Sequence, residues 1–184
     1  YDWPKHWREH EAFLAGLLPI AGAAEVLNSW VGRHDCFYLT ATKEKWRGVT
    51  ERWLEANGFP SFPLVMTGTL DGKVAWLTVN ENPVDYLIED TVPVLWAAES
   101  KVRELIVMDA PWNRTFSGGR RFRTWEEIAR WCNEVHLAYC SQQSPSSPDY
   151  WSRTRRLFRP TNDDDHYGTR LLVVWRIWSL VANE

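Results

Sequence analysis

Short apolar runs alternate with amphipathic segments over the middle of the chain. The runs are predicted as strands, and we expect them to be neighbours in one sheet: HDCFYLT, PLVMT, YLIED and ELIVMD. The segments between them are predicted as helices. A further helix is predicted after the last run, and it opens with a capping box of Thr124 and Glu127. Strands that alternate with helices indicate βαβ units, and therefore a three-layer α/β core with a parallel sheet.

Two regions flank this core, which we assign to residues 31–140. Residues 1–30 are predicted to form two helical pieces joined by LLPIAGA, a partial helical cap and lead-in. Residues 141–184 begin with the Ser/Pro-rich SQQSPSSPD and are assigned to a linker and C-terminal extension. Its apolar RLLVVW or IWSLV could fill the gap that a missing central strand would leave in the sheet.

Composition and charge exclude several functional classes. The net charge of −3 gives no general attraction to nucleic acid or to an anionic membrane. The basic RTRRLFR, with Trp151 and Phe158 available for stacking, is the feature that would favour single-stranded nucleic acid. Three cysteines without a CxxC pair argue against a zinc site or a disulfide framework.

Localisation and assembly follow from the same composition. The longest apolar stretch is too short to span a membrane and no signal-peptide pattern is present, so we expect a cytoplasmic protein without membrane contact. The 13 tryptophans are scattered, which favours core packing, although a Trp-rich surface or the C-terminal tail could support a homo-oligomer.

Residues at the carboxyl ends of the predicted strands are the candidates for a ligand site, because parallel α/β sheets bind ligands there. The hydroxyl of Thr40 and nearby main-chain N–H groups such as that of Ala41 could hold a phosphate oxygen, or Thr40 could cap the next helix. Lys73 follows TGTLDG at a helix start and could supply positive charge to a phosphoryl group, or it could be solvated.

Two adjacent carboxylates, Glu89 and Asp90, end the third apolar run. Carboxylate oxygens suit Mg²⁺, which prefers hard oxygen ligands and retains several waters. Asp90 could equally cap the helix that follows.

The order of these segments resembles the haloacid dehalogenase (HAD) superfamily, and within it the 5′(3′)-deoxyribonucleotidase-like group. FYLTATKEKWRGVTERWLEANGFP is similar to the second motif of that group, TGTLDGK to the third and LIEDTVPVLWAA to the fourth. LLPIAGAAEVL, IVMDAPWNR and RTWEEI are similar to the segments that lead into, follow and close the core. The resemblance covers residues 17–134.

The resemblance implies a HAD-like (Rossmannoid) core and a magnesium-dependent phosphatase that acts on a small phosphate ester, a nucleoside monophosphate. It implies that Thr40 and Lys73 are catalytic, that Thr40, Ala41 and Lys73 bind phosphate, and that Glu89 and Asp90 bind Mg²⁺.

The first motif of the family, an apolar strand that ends in Asp-x-Asp and provides the nucleophile, has no counterpart upstream of Thr40. Asp2 follows no strand, Asp35 opens one, and residues 163–165 follow RPTN, a poor strand. The chain as written is therefore expected to be inactive, either as a piece of a longer phosphatase or as a relative that has lost catalysis. A version extended upstream through such a strand is expected to hydrolyse nucleoside monophosphates. The alternative function is a non-catalytic binding or assembly module.

Overall fold

A six-stranded sheet forms the core of the computed structural model, which describes residues 11–79, 84–142 and 169–174. The strands are β1 His34–Thr40, β2 Leu64–Met66, β3 Val84–Glu89, β4 Val102–Met108, β5 Arg120–Phe122 and β6 Thr169–Val174. Their order across the sheet is β2-β1-β6-β3-β4-β5, and every neighbouring pair is parallel. The predicted α/β class with a parallel sheet is confirmed.

Within the described residues, six helices accompany the strands. They are α1 Glu11–Ala15, α2 Ala23–Ser29, α3 Arg47–Ala56, α4 Leu70–Val79, α5 Val92–Ala98 and α6 Trp125–Gln142. The first two correspond to the two helical pieces predicted ahead of the core. None of the helices in the described ranges is long and apolar enough to cross a membrane.

The helices lie on both faces of the sheet because successive strand residues point to opposite sides. On one face, buried strand residues pack with α2, α3 and α6: Cys36, Tyr38, Ile88 and Ile106. On the other face, they pack with α4 and α5: Leu39, Leu87, Leu105 and Val107. The resulting three-layer arrangement is the one that the sequence predicts.

Strand β6 occupies the centre of the sheet, between β1 and β3. Its last residue, Val174, pairs with Leu39 of β1, and Val173 pairs with Ile88 of β3. The four predicted runs thus lie in one sheet, and between β1 and β3 the residues of RLLVVW up to Val174 fill a central position, as the sequence had suggested for this segment. RTRRLFR, IWSLV and residues 163–165 lie outside the described residues.

The capping box predicted for α6 is present. The Glu127 N–H donates to the Thr124 hydroxyl at 3.2 Å, and the Thr124 N–H donates to Glu127 Oε2 at 3.3 Å. We expect Thr124→Ala to lower the free energy of unfolding by about 1 kcal/mol, measured by urea denaturation, because it removes the partner of an otherwise unsatisfied helix N–H.

The matched control is Thr78→Ala, which removes an exposed hydroxyl that bonds only to carbonyls of its own helix. That change should be neutral or slightly stabilising, because alanine is the better helix former. Equal losses in the two variants would show that the capping box contributes nothing specific.

Candidate active site

Thr40 ends β1 with a buried side chain. Its hydroxyl lies 2.8 Å from the Thr42 hydroxyl and accepts the Thr42 N–H at 3.2 Å. Its carbonyl accepts both the N–H and the hydroxyl of Thr67, which follows β2. Helix α3 begins only at Arg47, after a 3₁₀ turn, so the alternative prediction that Thr40 caps this helix is wrong.

The TGTLDG segment fixes the start of α4, and with it the position of Lys73. The Thr69 hydroxyl accepts the Gly72 N–H at 2.9 Å, which is a standard helix N-cap. Gly72 is required here, because a Cβ atom at this position would lie 2.4 Å from the Thr67 carbonyl oxygen. The Thr67 hydroxyl donates hydrogen bonds to the carbonyls of Thr40 and Thr69. These hydrogen bonds connect the end of β1 to the start of α4.

Lys73 and Glu89 form a buried ion pair. The Lys73 ammonium lies 2.7 Å from Glu89 Oε2, and the two side chains are 4% and 0% exposed. Glu89 Oε1 accepts the N–H groups of Asp90 and Thr91 at 2.9 and 2.8 Å. These two hydrogen bonds satisfy Oε1, and Oε2 has the Lys73 ammonium as its ion-pair partner, which is the kind of compensation that a buried carboxylate requires. The solvated alternative for Lys73 is therefore wrong, and both oxygens of Glu89 are already engaged.

Asp90 follows β3 with a partly exposed side chain. Its Oδ1 accepts the hydroxyl of Thr91 at 3.1 Å. Helix α5 begins at Val92 with Thr91 as its N-cap residue, so the alternative prediction of an Asp90 cap is wrong. Asp90 thus stands at the carboxyl edge of the sheet beside the Lys73–Glu89 pair.

A residue that the sequence did not identify, Asn113, lies at the same edge and is fully buried. Its Nδ2 donates to the carbonyls of Asp90 and Met108 at 3.0 and 2.8 Å. Its Oδ1 accepts the Ala110 N–H at 3.2 Å and Arg121 Nη1 at 2.6 Å. The sequence feature that could have identified Asn113 is the PWN turn after β4, which belongs to the segment IVMDAPWNR of the family resemblance.

Arg121 supports this turn from β5. Besides Asn113, its Nη1 contacts Asp109 Oδ1 at 2.9 Å, and its Nη2 donates to the carbonyls of Asn113 and Phe116. Asp109, which follows β4, is therefore held by a guanidinium group.

The candidate residues lie on both sides of β6. Thr40 ends β1 and Glu89 ends β3, so two strand spacings, about 10 Å, separate their main chains. Lys73 reaches Glu89 from α4, whose start is linked to Thr40 through Thr67. The crevice at a centrally placed strand, outside the carboxyl ends, is where open parallel sheets bind ligands.

The described acidic side chains at this edge of the sheet do not form a metal-binding cluster. In residues 11–79, 84–142 and 169–174, no group of three or more His, Cys, Asp or Glu side chains is arranged to hold a metal ion. Glu89 would have to give up Lys73 or two main-chain N–H groups to bind one. The magnesium site predicted at Glu89 and Asp90 therefore stays a prediction.

The described cysteines are unsuited to nucleophilic chemistry. Burial raises the pKa of the Cys36 thiol to about 12, with the charge of Asp35 adding to the effect, and burial raises the pKa of Cys132 to about 12. Both thiols are therefore protonated at neutral pH, whereas the thiolate is the reactive form.

No protein-family model matches the chain. Among curated proteins, the chain is similar to one from Halalkalibacterium halodurans that bears the name "Putative nucleotidase BH1399", with 29% identity over 116 residues. The matched region covers 61% of this chain and 58% of the relative, so the chain spans a little over half the length of that protein.

Proposed function

We propose that the chain is a nucleotidase-like protein that binds the phosphate of a nucleoside monophosphate at the carboxyl edge of its sheet, between Thr40 and Lys73. The observation that carries this proposal is the buried Lys73–Glu89 pair on α4 and β3, where the start of α4 is linked to the end of β1 by the hydrogen bonds from Thr67 to the Thr40 carbonyl. The likeness to a protein named as a nucleotidase supports the substrate class. The sequence resemblance to HAD phosphatases supports the same assignment.

The donors at this edge suit a phosphate group. An ammonium group has three N–H donors, and the contact of Lys73 with Glu89 uses one of them. The Thr40 and Thr42 hydroxyls lie 2.8 Å apart and share one proton between them, so the proton of the other hydroxyl is available to a phosphate oxygen. The main-chain N–H of Ala41 completes the proposed phosphate site.

Charge explains why Mg²⁺ belongs to the proposal. The charges of Lys73 and Glu89 balance one another, and Asp90 adds a negative charge. A phosphate dianion would therefore enter an edge that is already negative. Asp90 would be the residue that holds a Mg²⁺ ion, and the ion would supply the compensating charge.

We also propose that the chain as written binds without hydrolysing. A covalent phosphoenzyme needs a nucleophile. The hydrogen-bond partners of the Thr40 hydroxyl are the hydroxyl and the N–H of Thr42, and neither is a base. Lys73 is held by Glu89, and the described thiols are protonated. A non-catalytic binding module, the alternative function, would share this binding site.

The test is calorimetric titration with thymidine 5′-monophosphate, with and without Mg²⁺, together with an assay of phosphate release. We expect binding that Mg²⁺ strengthens and no release above the blank. Thr40→Ala should weaken binding about tenfold or more, because a hydrogen bond to a charged group contributes about 1.5–3 kcal/mol. Thr78→Ala, an exposed hydroxyl on α4, should leave the affinity unchanged.

Two outcomes would contradict the proposal. Absence of binding by the unaltered chain would remove the phosphate site. Phosphate release that disappears in Asp90→Asn would show that a nucleophile is present after all, for example from residues 163–165.

A further inference from the structure

Thr42 lies two residues beyond the end of β1, and its polar groups have defined partners. Its N–H donates to the Thr40 hydroxyl oxygen at 3.2 Å, and its own hydroxyl oxygen lies 2.8 Å from that atom. Its carbonyl accepts the Gly68 N–H at 3.1 Å. Thr42 is therefore fixed to the end of β1 on one side and to the turn after β2 on the other.

The turn after β2 holds both threonines through their main chain. Gly68 has a φ angle of +75°, in the left-handed region that glycine adopts without strain. Thr67, the residue before it, donates its N–H and its hydroxyl to the Thr40 carbonyl. Because these hydrogen bonds and the one from Gly68 end on carbonyl groups, they remain when the side chain of Thr40 or Thr42 is changed.

The two threonine hydroxyls have one proton more than their mutual contact uses. Each hydroxyl has one proton to donate and two lone pairs that can accept. One proton lies between the two oxygens, and among the described residues the second proton has no acceptor. A spare donor at the carboxyl edge of the sheet suits a ligand oxygen that only accepts, such as that of a phosphate.

Burial indicates which hydroxyl has the spare proton. Thr40 is 4% exposed, whereas Thr42 is partly exposed. If Thr40 donates to Thr42, the proton and the oxygen of the buried hydroxyl are both in use, because that oxygen accepts the Thr42 N–H. This arrangement satisfies the more buried group, as buried polar groups require. The proton of Thr42 is then the one that a ligand can reach.

We propose that Thr42 is a phosphate-binding residue, whose hydroxyl donates to a phosphate oxygen while the Thr40 hydroxyl orients it. This inference rests on the proposed function, since it adds a contact to the same phosphate. The contact needs no metal ion, because the donor is a neutral hydroxyl that the loops after β1 and β2 hold in place.

The experiment compares two replacements of Thr42 by calorimetric titration with thymidine 5′-monophosphate. Thr42→Val keeps the shape of the side chain but removes the hydroxyl, and it should weaken binding about tenfold, the effect of one hydrogen bond to a charged group. Thr42→Ser keeps the hydroxyl and should stay within about twofold of the unaltered chain. Thr78→Val, the matched change at an exposed threonine of α4, should leave the affinity unchanged.

A double-mutant cycle tests whether Thr40 acts through Thr42. Thr40→Ala should have little further effect on affinity in the Thr42→Val background, because the hydroxyl that Thr40 orients is already gone. A combined loss equal to the product of the two single losses would mean that the hydroxyls act independently, and would overturn the proposed arrangement.

The outcomes separate this inference from the proposed function. Absence of binding by the unaltered chain would remove the proposed function, and this inference with it. Binding that is unchanged in Thr42→Val, or equally weakened in Thr42→Val and Thr42→Ser, would overturn this inference alone, because the hydroxyl would then have no part in binding. If Thr42→Val does not fold, Thr42→Ala takes its place with the same expected loss.

Discussion

Replacing Lys73 by methionine is expected to lower the free energy of unfolding by about 3–5 kcal/mol, because it leaves the Glu89 carboxylate buried without its countercharge. The side chains of the pair are 4% and 0% exposed, so water cannot take over the role of the ammonium group. Urea denaturation with linear extrapolation measures the loss.

The double variant Lys73→Met with Glu89→Gln should regain a large part of that stability. Glutamine removes the unpaired charge and keeps an oxygen for the N–H groups of Asp90 and Thr91. Lys101→Met is the control, since Lys101 is exposed and its replacement should change stability by no more than about 0.5 kcal/mol. A single-variant loss close to that of the control would mean that the ion pair is not buried in solution.

A cysteine at position 171 is expected to form a disulfide with Cys36 and to stabilise the protein by about 2–4 kcal/mol. Cys36 and Leu171 are directly paired across β1 and β6. Strands about 4.8 Å apart lie within the Cα separation that disulfides accept. The background should contain Cys132→Ser and Cys140→Ser. Forming the disulfide removes two electrons and two protons from the two thiols, so an added oxidant is needed. Because burial raises the pKa of Cys36 to about 12, the reaction should be slow at neutral pH, and non-reducing electrophoresis detects the product.

Leu172→Cys is the control for this cross-link. Successive residues of a strand face opposite sides of the sheet, so a cysteine at position 172 should not reach Cys36. Cross-linking of both variants with equal yield would contradict the register of β6. A disulfide-linked dimer would show that the strand comes from a second copy of the chain.

The position of β6 also changes the expectation for an upstream Asp-x-Asp strand. The edges of β1 and β3 that face each other are both paired with β6. An additional strand could approach Thr40 and Glu89 only by displacing β6. Restored hydrolysis in an extended chain would thus require strand exchange at the centre of the sheet.

Apolar continuity decided which strands could be predicted. The run HDCFYLT corresponds residue for residue to β1, because its apolar residues 36–39 form the inner part of a strand that is covered on both faces. The edge strand β5 was missed because it is three residues long and includes Arg120 and Arg121. RLLVVW was suggested to fill a central gap only through the family resemblance, because its pairing partners lie more than 80 positions away and no local pattern contains them.

For the candidate site, too, residues with a local sequence signal could be predicted, whereas contacts between distant segments could not. Thr40 and Lys73 were identified because strand ends and helix starts have local signals. The Lys73–Glu89 contact was not predicted, since the two residues lie on different elements and Glu89 was assigned to Mg²⁺ together with Asp90. Asn113 was not selected as a site residue, because a buried amide in a turn has no distinctive sequence pattern.

The central position of β6 sets the order in which the protein can fold during synthesis. β6 follows the five other strands along the chain, yet it pairs with both β1 and β3. Until Val174 has emerged from the ribosome, the other strands can form only two separate half-sheets. One consists of β1 and β2, and the other of β3, β4 and β5. Each half-sheet presents an unpaired apolar edge in that interval, which is a template for association with other chains. Pairing of β6 with β1 joins residues as distant as His34 and Thr169, so this last step should be slow and should make the nascent chain dependent on chaperones.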